Sequence, residues 1–260
     1  MARFVCLRRT ADNTLAVHDQ RIAPFQHSRR VEGRQPRLCP VDAFLGTRHA
    51  LVHRRIQPHA GQLSGTINAM RSARENLLEK FPERTFIIVD TLSISGPQTL
   101  LVLKAHEMYR AGESIETVAQ WVEDNKLRAQ AFFTVDDLKY LQRGGRVSAT
   151  AAALGTLLDL KPILTETREG KLAAAQKVRG RKKALGYMVD KAAECIEDPA
   201  ESIVLVLHAD AKEDAAKVAI MLHDRIPNVR VRIENVGPVI GAHAGPGTVA
   251  VCFIGKERTM

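Results

Sequence analysis

The first 60 residues contain no lysine, although they carry eleven arginines and only four acidic side chains. Their net charge of +7 accounts for most of the +9 of the 260-residue chain and leaves +2 for the other 200 residues. A nucleic-acid-binding domain spreads lysine and arginine over one face and adds aromatic side chains for base stacking. The charge belongs instead to one segment, so we expect no nucleic-acid partner. Nucleic-acid binding through this N-terminal segment is the alternative, and a truncation that lacks residues 1–58 would test it.

Long apolar runs and closely spaced cysteines are also missing. No stretch approaches the roughly 18–20 apolar residues of a membrane-spanning helix, and the N-terminus lacks the pattern of a secretory signal. The four cysteines, at positions 6, 39, 195 and 252, include no C-x-x-C pair. We therefore expect reduced thiols in a cytoplasmic protein, with no transmembrane segment and at most transient contact with a membrane.

Residues 1–60 keep neither helical nor strand periodicity for more than a few positions. All 13 lysines of the chain lie beyond residue 79. Two hypotheses fit this segment: a disordered basic arm, or a stretch that is not the ancestral N-terminus, for instance because of a reading-frame error. In both cases residues 1–60 are a divergent basic segment, and we expect folded structure to begin at residue 61.

Residues 61–145 have the pattern of a first α/β lobe. A helix with an apolar stripe begins at the N-cap residue Ser64. Residues 85–90 form a continuous apolar run that is typical of a buried parallel strand. Two more helices, the second of them capped by Ser114, lead to a strand at residues 130–135. This alternation predicts a Rossmann-like parallel sheet.

Residues 146–260 predict a second α/β lobe. It begins with a helix of small residues over 148–158 and a hairpin over 161–178, whose turn is the R-E-G sequence of residues 168–170. Two helix–strand pairs follow. Residues 237–247 contain four glycines and two prolines around His243. Because this composition disfavours both helix and central strand, we expect a tight loop there.

Three motifs stand out in chain order: residues 63–66 (L-S-G-T), 140–148 (Y-L-Q-R-G-G-R-V-S) and 241–247 (G-A-H-A-G-P-G). Together with residues 160–164 and 177–184, this set closely resembles the DegV family of bacterial fatty-acid-binding proteins, the acyl-carrying partners of a fatty-acid kinase. The resemblance covers about residues 61–260. It implies two α/β lobes that enclose a lipid tunnel.

The resemblance also implies which residues bind the fatty acid. Ser64 matches the serine that binds the carboxylate, and Gly65 and Thr66 lie beside it at a helix N-terminus, which suits an anion. Ser64 is equally suited to a plain capping role, and the two roles are compatible. His243 matches a histidine near the carboxyl group, where an imidazole can donate a hydrogen bond.

Arg146 and Arg179 match basic positions that contact the kinase or the phosphoryl group. The implied partners are a fatty acid and a fatty-acid kinase, and the carrier itself has no catalytic residue, no metal and no cofactor. An alternative is a phosphate- or nucleotide-handling enzyme that uses the glycine loops with Arg146, Arg179 and His243. Neither a Walker motif nor a metal-ligand pair supports that alternative.

The sequence departs from the family pattern at its start. The family opens with a strand that ends in D-S-x-x-D-L-P and later carries T-S-Q-P, whose threonine contacts the carboxylate. Residues 1–60 contain neither motif. Half of the carboxylate site is therefore unassigned.

Overall fold

The computed structural model describes residues 6–9, 15–18, 63–147 and 160–260. The chain divides into two compact units, Met1–Gly46 and Thr47–Met260. In the first unit, strands β1 (Cys6–Arg9) and β2 (Leu15–His18) pair in an antiparallel ladder, so the expectation that regular structure begins only at residue 61 was wrong for these eight residues. All other described elements belong to the second unit.

A six-stranded mixed sheet lies at the centre of the second unit. Its strands are β3 (Ala129–Thr134), β4 (Leu160–Glu166), β5 (Leu172–Arg179), β6 (Ile203–Ala209), β7 (Arg230–Asn235) and β8 (Thr248–Ile254). The order across the sheet is β5-β4-β3-β8-β6-β7. Only β6 and β7 run parallel to each other, and all other neighbours are antiparallel.

Seven α-helices occur in the part of the chain that the structure describes: α1 (Thr66–Lys80), α2 (Ser95–Arg110), α3 (Ile115–Asn125), α4 (Lys139–Arg143), α5 (Arg181–Cys195), α6 (Lys212–Arg225) and α7 (Pro238–Ala244). A 3₁₀ turn, Lys126–Arg128, leads into β3. None of these described helices is both long and apolar enough to cross a membrane.

Side chains alternate between the two faces of the sheet, and both faces are covered. On one face, Phe132 of β3 stacks on Phe253 of β8 with ring centroids 6.2 Å apart, and α5 and α6 pack over them. On the other face, Leu100 of α2 packs against a cluster that includes Leu207 and Cys252. Helices α2 and α3 then share their own apolar cluster. Burial on both faces explains why the central strands are almost wholly apolar.

The predicted α/β class is confirmed, and so are several local features. The hairpin is present, with β4 and β5 paired along their length. Ser114 caps α3, since its Oγ accepts a hydrogen bond from the Thr117 backbone N–H at 3.1 Å. The helix predicted over residues 148–158 lies outside the described residues. The division into lobes at residue 145 stays a prediction.

The parallel sheet expected in the first lobe was wrong for the residues described. Residues 85–90 are not a strand, and β3 is antiparallel to both of its neighbours. An apolar run predicts burial but does not supply the neighbouring strand whose backbone groups would complete a ladder. Among the described residues, no strand lies beside 85–90, and this run is only half-buried or exposed.

The tight loop expected over residues 237–247 was also wrong in part, because Pro238–Ala244 forms helix α7. Pro238 stands in the first turn, where its missing N–H has no helical partner to lose. Gly245 then ends the helix with φ of +79°, and Gly247 has φ of +78°. The sharp turn is therefore confined to the residues after His243.

Candidate functional site

The L-S-G-T motif forms the start of α1. Gly65, not Ser64, is the N-cap residue, so the predicted cap was displaced by one position. Ser64 Oγ accepts a hydrogen bond from the Thr66 backbone N–H at 3.3 Å and lies 2.8 Å from Thr66 Oγ1. Two hydroxyls therefore meet at the positive end of a 15-residue helix, an environment that favours an anion.

Arg146 joins this helix start to the R-G-G-R motif. One of its guanidinium nitrogens, Nη2, donates to the carbonyl of Leu63 at 2.7 Å, and Nη1 donates to the carbonyl of Gly144. The side chain is half-buried. Arg146 is thus a structural link between two motifs that are far apart in sequence, as well as a cation beside the two hydroxyls.

Two adjacent cavities lie at this junction. The first, of about 460 Å³, is a polar cleft lined by Leu63, Ser64, Gly65, Gly145, Arg146, Lys171 and Leu172. The second, of about 250 Å³, is mainly apolar and is lined by Leu138, Arg146, Val147, Leu160, Pro162, Leu164, Leu172, Ala173, Ala174 and Lys177. Because Arg146 and Leu172 line both, the polar cleft borders the apolar cavity.

Lys171 lines the polar cleft but was not singled out from the sequence. It follows the hairpin turn, where its backbone N–H donates to Thr167 Oγ1 at 3.2 Å. Thr167 N–H in turn donates to the carbonyl of Lys171 at 2.7 Å. The hairpin signal located the turn, but no local pattern indicates that this turn lies against residues 63–65.

The glycine-rich motif of α7 packs on the segment around α4 through three close glycine contacts. A Cβ at Gly144 would lie less than 3.0 Å from His243 Nδ1, and one at Gly245 would lie equally close to the ring of Tyr140. A Cβ at Gly247 would meet the carboxylate of Asp136. Glycine is thus required at each contact so that the facing side chain fits.

His243 is half-buried and lies against Gly144, whose carbonyl accepts from Arg146. The imidazole is therefore close to the polar cleft but is not part of its lining. Arg179 is exposed at the end of β5, paired with Leu160 across the ladder, and it lines neither cavity. The structure thus brings Ser64, Gly65 and Arg146 together, with Thr66 and His243 beside them and Arg179 apart.

A buried ion pair joins the last residue of β4 to the segment after β8 and was not anticipated. Glu166 and Arg258 are 2% and 3% exposed, with Oε2 and Nη2 3.1 Å apart. Glu166 Oε1 accepts from the Ile94 N–H at 2.9 Å, whereas Oε2 has no well-oriented donor among the described residues. Burial raises the pKa of Glu166 to about 7, although the charge of Arg258 acts in the opposite direction.

The structure is therefore that of an α/β protein with a six-stranded mixed sheet, in which a polar cleft borders an apolar cavity. The sequence profile of the family described as "Uncharacterised protein, DegV family" matches residues 58–256. The chain belongs to the DegV family.

Known proteins resemble this chain over the same region. The DegV domain-containing protein CPE0026 of Clostridium perfringens is 44% identical over 196 residues, which cover 75% of this chain and 67% of the relative. A DegV family protein from Thermus thermophilus, described by its fatty-acid binding, superposes with a TM-score of 0.66 at 32% identity, over 75% of this chain and 68% of that one.

The Streptococcus pneumoniae fatty acid kinase (Fak) B3 protein, loaded with linoleic acid, has a TM-score of 0.70 at 21% identity. The match covers 75% of this chain and 69% of that protein, and it shows a shared fold. The chain spans about two thirds of the length of the relatives that it matches.

Proposed function

We propose that this chain binds a long-chain fatty acid and presents its carboxyl group to a fatty-acid kinase, which phosphorylates it to the acyl phosphate. The observation that carries the proposal is the junction of two unlike cavities at Arg146 and Leu172. A fatty acid has one charged end and one apolar end, so it needs both environments in direct continuity. The Thermus thermophilus relative supports the ligand class, since its structure is described by fatty-acid binding.

The acyl chain fits the apolar cavity between the hairpin and the residues after α4. Leu138, Val147 and Leu164 lie on its walls, together with the small residues Ala173 and Ala174. Each buried CH₂ group contributes about 0.8 kcal/mol, so a chain of many carbons binds strongly without any polar contact. The apolar wall therefore provides affinity, whereas the polar cleft provides orientation.

The carboxylate fits the polar cleft at the start of α1. Ser64 offers a hydroxyl, and the N-terminus of α1 offers a favourable potential for a negative charge. Arg146 and Lys171 add two cations to the lining of the same cleft. His243, which rests on Gly144, is the fifth group, and a movement of its ring towards the cleft would let it donate to the carboxylate.

The phosphorylation step rests on the family resemblance and on the placement of two arginines. Arg146 lies beside the cleft and suits the transferred phosphoryl group, because arginine forms paired hydrogen bonds with phosphate oxygens. Arg179 is exposed and suits the surface of a partner protein. In this proposal the kinase supplies the chemistry, and the chain supplies binding and orientation.

Organic extraction of the purified protein, followed by mass spectrometry, tests the proposal. We expect a single fatty acid for each protein molecule when the protein is produced in a host with abundant lipid. If repeated preparations release no fatty acid on extraction, the hypothesis that this chain is a fatty-acid carrier is wrong. If the same protein instead bound phosphate or nucleotide, the alternative of a phosphate-handling enzyme would take its place.

A further inference from the structure

Arg181 is the first residue of α5, and its guanidinium connects three separate segments. Its Nε donates to Asp214 Oδ2 on α6 at 2.9 Å. Its Nη1 lies 3.4 Å from Asp136 Oδ1, just after β3, and its Nη2 donates to the carbonyl of Gly247. The first turn of α6, the segment just after β3 and the G-P-G turn of residues 245–247 are therefore all bound by the side chain of Arg181.

The stability of α5 does not explain an arginine at this position. The N-terminal turn of a helix disfavours a positive charge, because the unpaired N–H groups already make it positive. Gly180 has φ of +87° and creates the turn that places Arg181 there. The contacts made by the guanidinium, two with carboxylates and one with a carbonyl, account for the arginine instead.

Arg181 completes a set of contacts that fixes the turn after His243. The N–H of Gly247 donates to the carbonyl of Ala209 at 2.8 Å, while Arg181 binds the carbonyl of Gly247. The Asp136 carboxylate fills the space beside Gly247 where a side chain would otherwise lie. Thr248 Oγ1 donates to the carbonyls of Ala244 and Gly245 at 3.0 and 2.8 Å. Several hydrogen bonds and the close approach of Asp136 therefore fix the backbone of residues 244–247, which follow His243.

We infer that Arg181 is a positioning residue for His243, which it does not contact. It fixes Gly247 relative to Asp136 and thereby sets the direction in which α7 presents the imidazole. This inference rests on the proposed function, in which His243 recognises the carboxylate. The motif arginine with the supporting role is then Arg181, whereas Arg179, two residues earlier, is exposed.

The test compares a fluorescent fatty acid with its methyl ester in Arg181→Gln. We expect the affinity for the acid to fall about tenfold, which is the lower end of the loss measured when the hydrogen-bond partner behind a metal-binding histidine is removed. The affinity for the ester should stay within about twofold, because tail burial does not depend on the imidazole. Arg225→Gln is the matched control, since Arg225 pairs with Asp190 at 3.3 Å between the same two helices. It should change neither affinity.

A double-mutant cycle with His243→Ala separates positioning from general stability. If Arg181 acts through His243, the double variant loses no more affinity for the acid than His243→Ala alone. Additive losses, or equal losses for acid and ester, would overturn the inference. If Arg181→Gln does not fold, Arg181→Lys replaces it in the same binding measurements, because lysine keeps the charge but cannot make the forked contacts. It should show the same selective loss to a smaller degree, and an unchanged affinity for the acid would again overturn the inference.

The wild-type protein distinguishes this inference from the proposed function. If the wild type binds neither acid nor ester, the proposed function fails and the inference fails with it. If the wild type binds the acid and Arg181→Gln binds it equally well, only the role of Arg181 is wrong.

Discussion

The imidazole of His243 occupies the space above Gly144 where any other residue would carry its side chain. A Cβ at this position would lie less than 3.0 Å from His243 Nδ1, so the contact requires glycine. Gly144 also accepts a hydrogen bond from Arg146 through its carbonyl. One glycine therefore determines where the imidazole and the guanidinium of the candidate site lie relative to each other.

Replacing Gly144 by alanine should displace His243 and weaken fatty-acid binding. The new methyl group cannot share the space with the imidazole, so either the ring or the backbone of α4 has to move. We expect lower affinity for the fatty acid and a smaller change for its methyl ester, measured by titration with fluorescent analogues. Equal affinity for the acid in Gly144→Ala and wild type would show that the position of the ring does not matter for binding.

Gly186→Ala is the matched control for this substitution. Gly186 lies inside α5, and a methyl group there would meet no other segment of the described chain within 4 Å. Alanine there should stabilise the protein by about 0.5–1 kcal/mol, because glycine loses more backbone entropy in a helix. Thermal unfolding of both variants then separates the loss of a steric fit from the general effect of exchanging glycine for alanine.

Ser64→Ala should weaken fatty-acid binding by about 1–3 kcal/mol, since a buried carboxylate loses a hydrogen-bond donor. The loss of folding stability should be smaller than the about 1 kcal/mol of an N-cap, because Gly65 holds that position. Ser114→Ala provides the comparison: Ser114 is the N-cap of α3 and should lose stability without losing ligand. Unchanged affinity in folded Ser64→Ala would leave the serine with a structural role only.

Arg146→Ala and Arg179→Ala should differ in effect. The family resemblance implies that both leave lipid binding nearly intact and impair acyl-phosphate formation with the kinase and ATP. The hydrogen bond from Arg146 to Leu63 changes that expectation, because its loss frees the segment that carries Ser64. We now expect Arg146→Ala to weaken both fatty-acid binding and phosphorylation, and Arg179→Ala to weaken phosphorylation only. Native mass spectrometry for the bound lipid and a phosphorylation assay measure the two effects separately.

Local features of the fold were predictable where one short segment contains the whole signal. Gly170 has φ of +79° in the turn between β4 and β5, and the R-E-G sequence indicated that hairpin. The helix after Ser64 and the cap at Ser114 follow from residues within one helical turn. The glycines around His243 correctly indicated an unusual backbone conformation, but the same composition led to the prediction of a loop where helix α7 forms. Pro238 is well suited to the first turn of that helix.

Contacts between distant segments could not be predicted from local patterns. Arg258 binds Ser93, which is 165 residues away in the chain, and Arg181 binds Gly247 across 66 residues. Periodicity and capping signals report on neighbours three or four positions apart. The motifs therefore singled out Ser64, Arg146 and His243. Lys171 became visible only in the fold, and so did the contacts of Arg181, although Arg181 lies within the motif of residues 177–184.

The buried pair of Glu166 and Arg258 makes stability depend on pH in a direction opposite to that of an exposed carboxylate salt bridge. Burial raises the pKa of Glu166 from 4.5 to about 7. Between these values the folded protein holds a proton that the unfolded chain has released, so the free energy of unfolding falls as pH rises. The stability that the protonated Glu166 contributes is complete below about pH 4.5. It is lost as pH rises through about 7.

Urea unfolding of wild type and Glu166→Gln between pH 5 and 8 measures this contribution. The wild type should lose about 1–3 kcal/mol across this range from Glu166 alone, and Glu166→Gln should lack that part of the slope because glutamine does not titrate. Glu169→Gln is the control, since Glu169 is an exposed carboxylate three residues further along the hairpin, and it should keep the wild-type slope. The same slope in Glu166→Gln and wild type would show that Glu166 is already ionised at pH 5, with Arg258 offsetting the whole effect of burial.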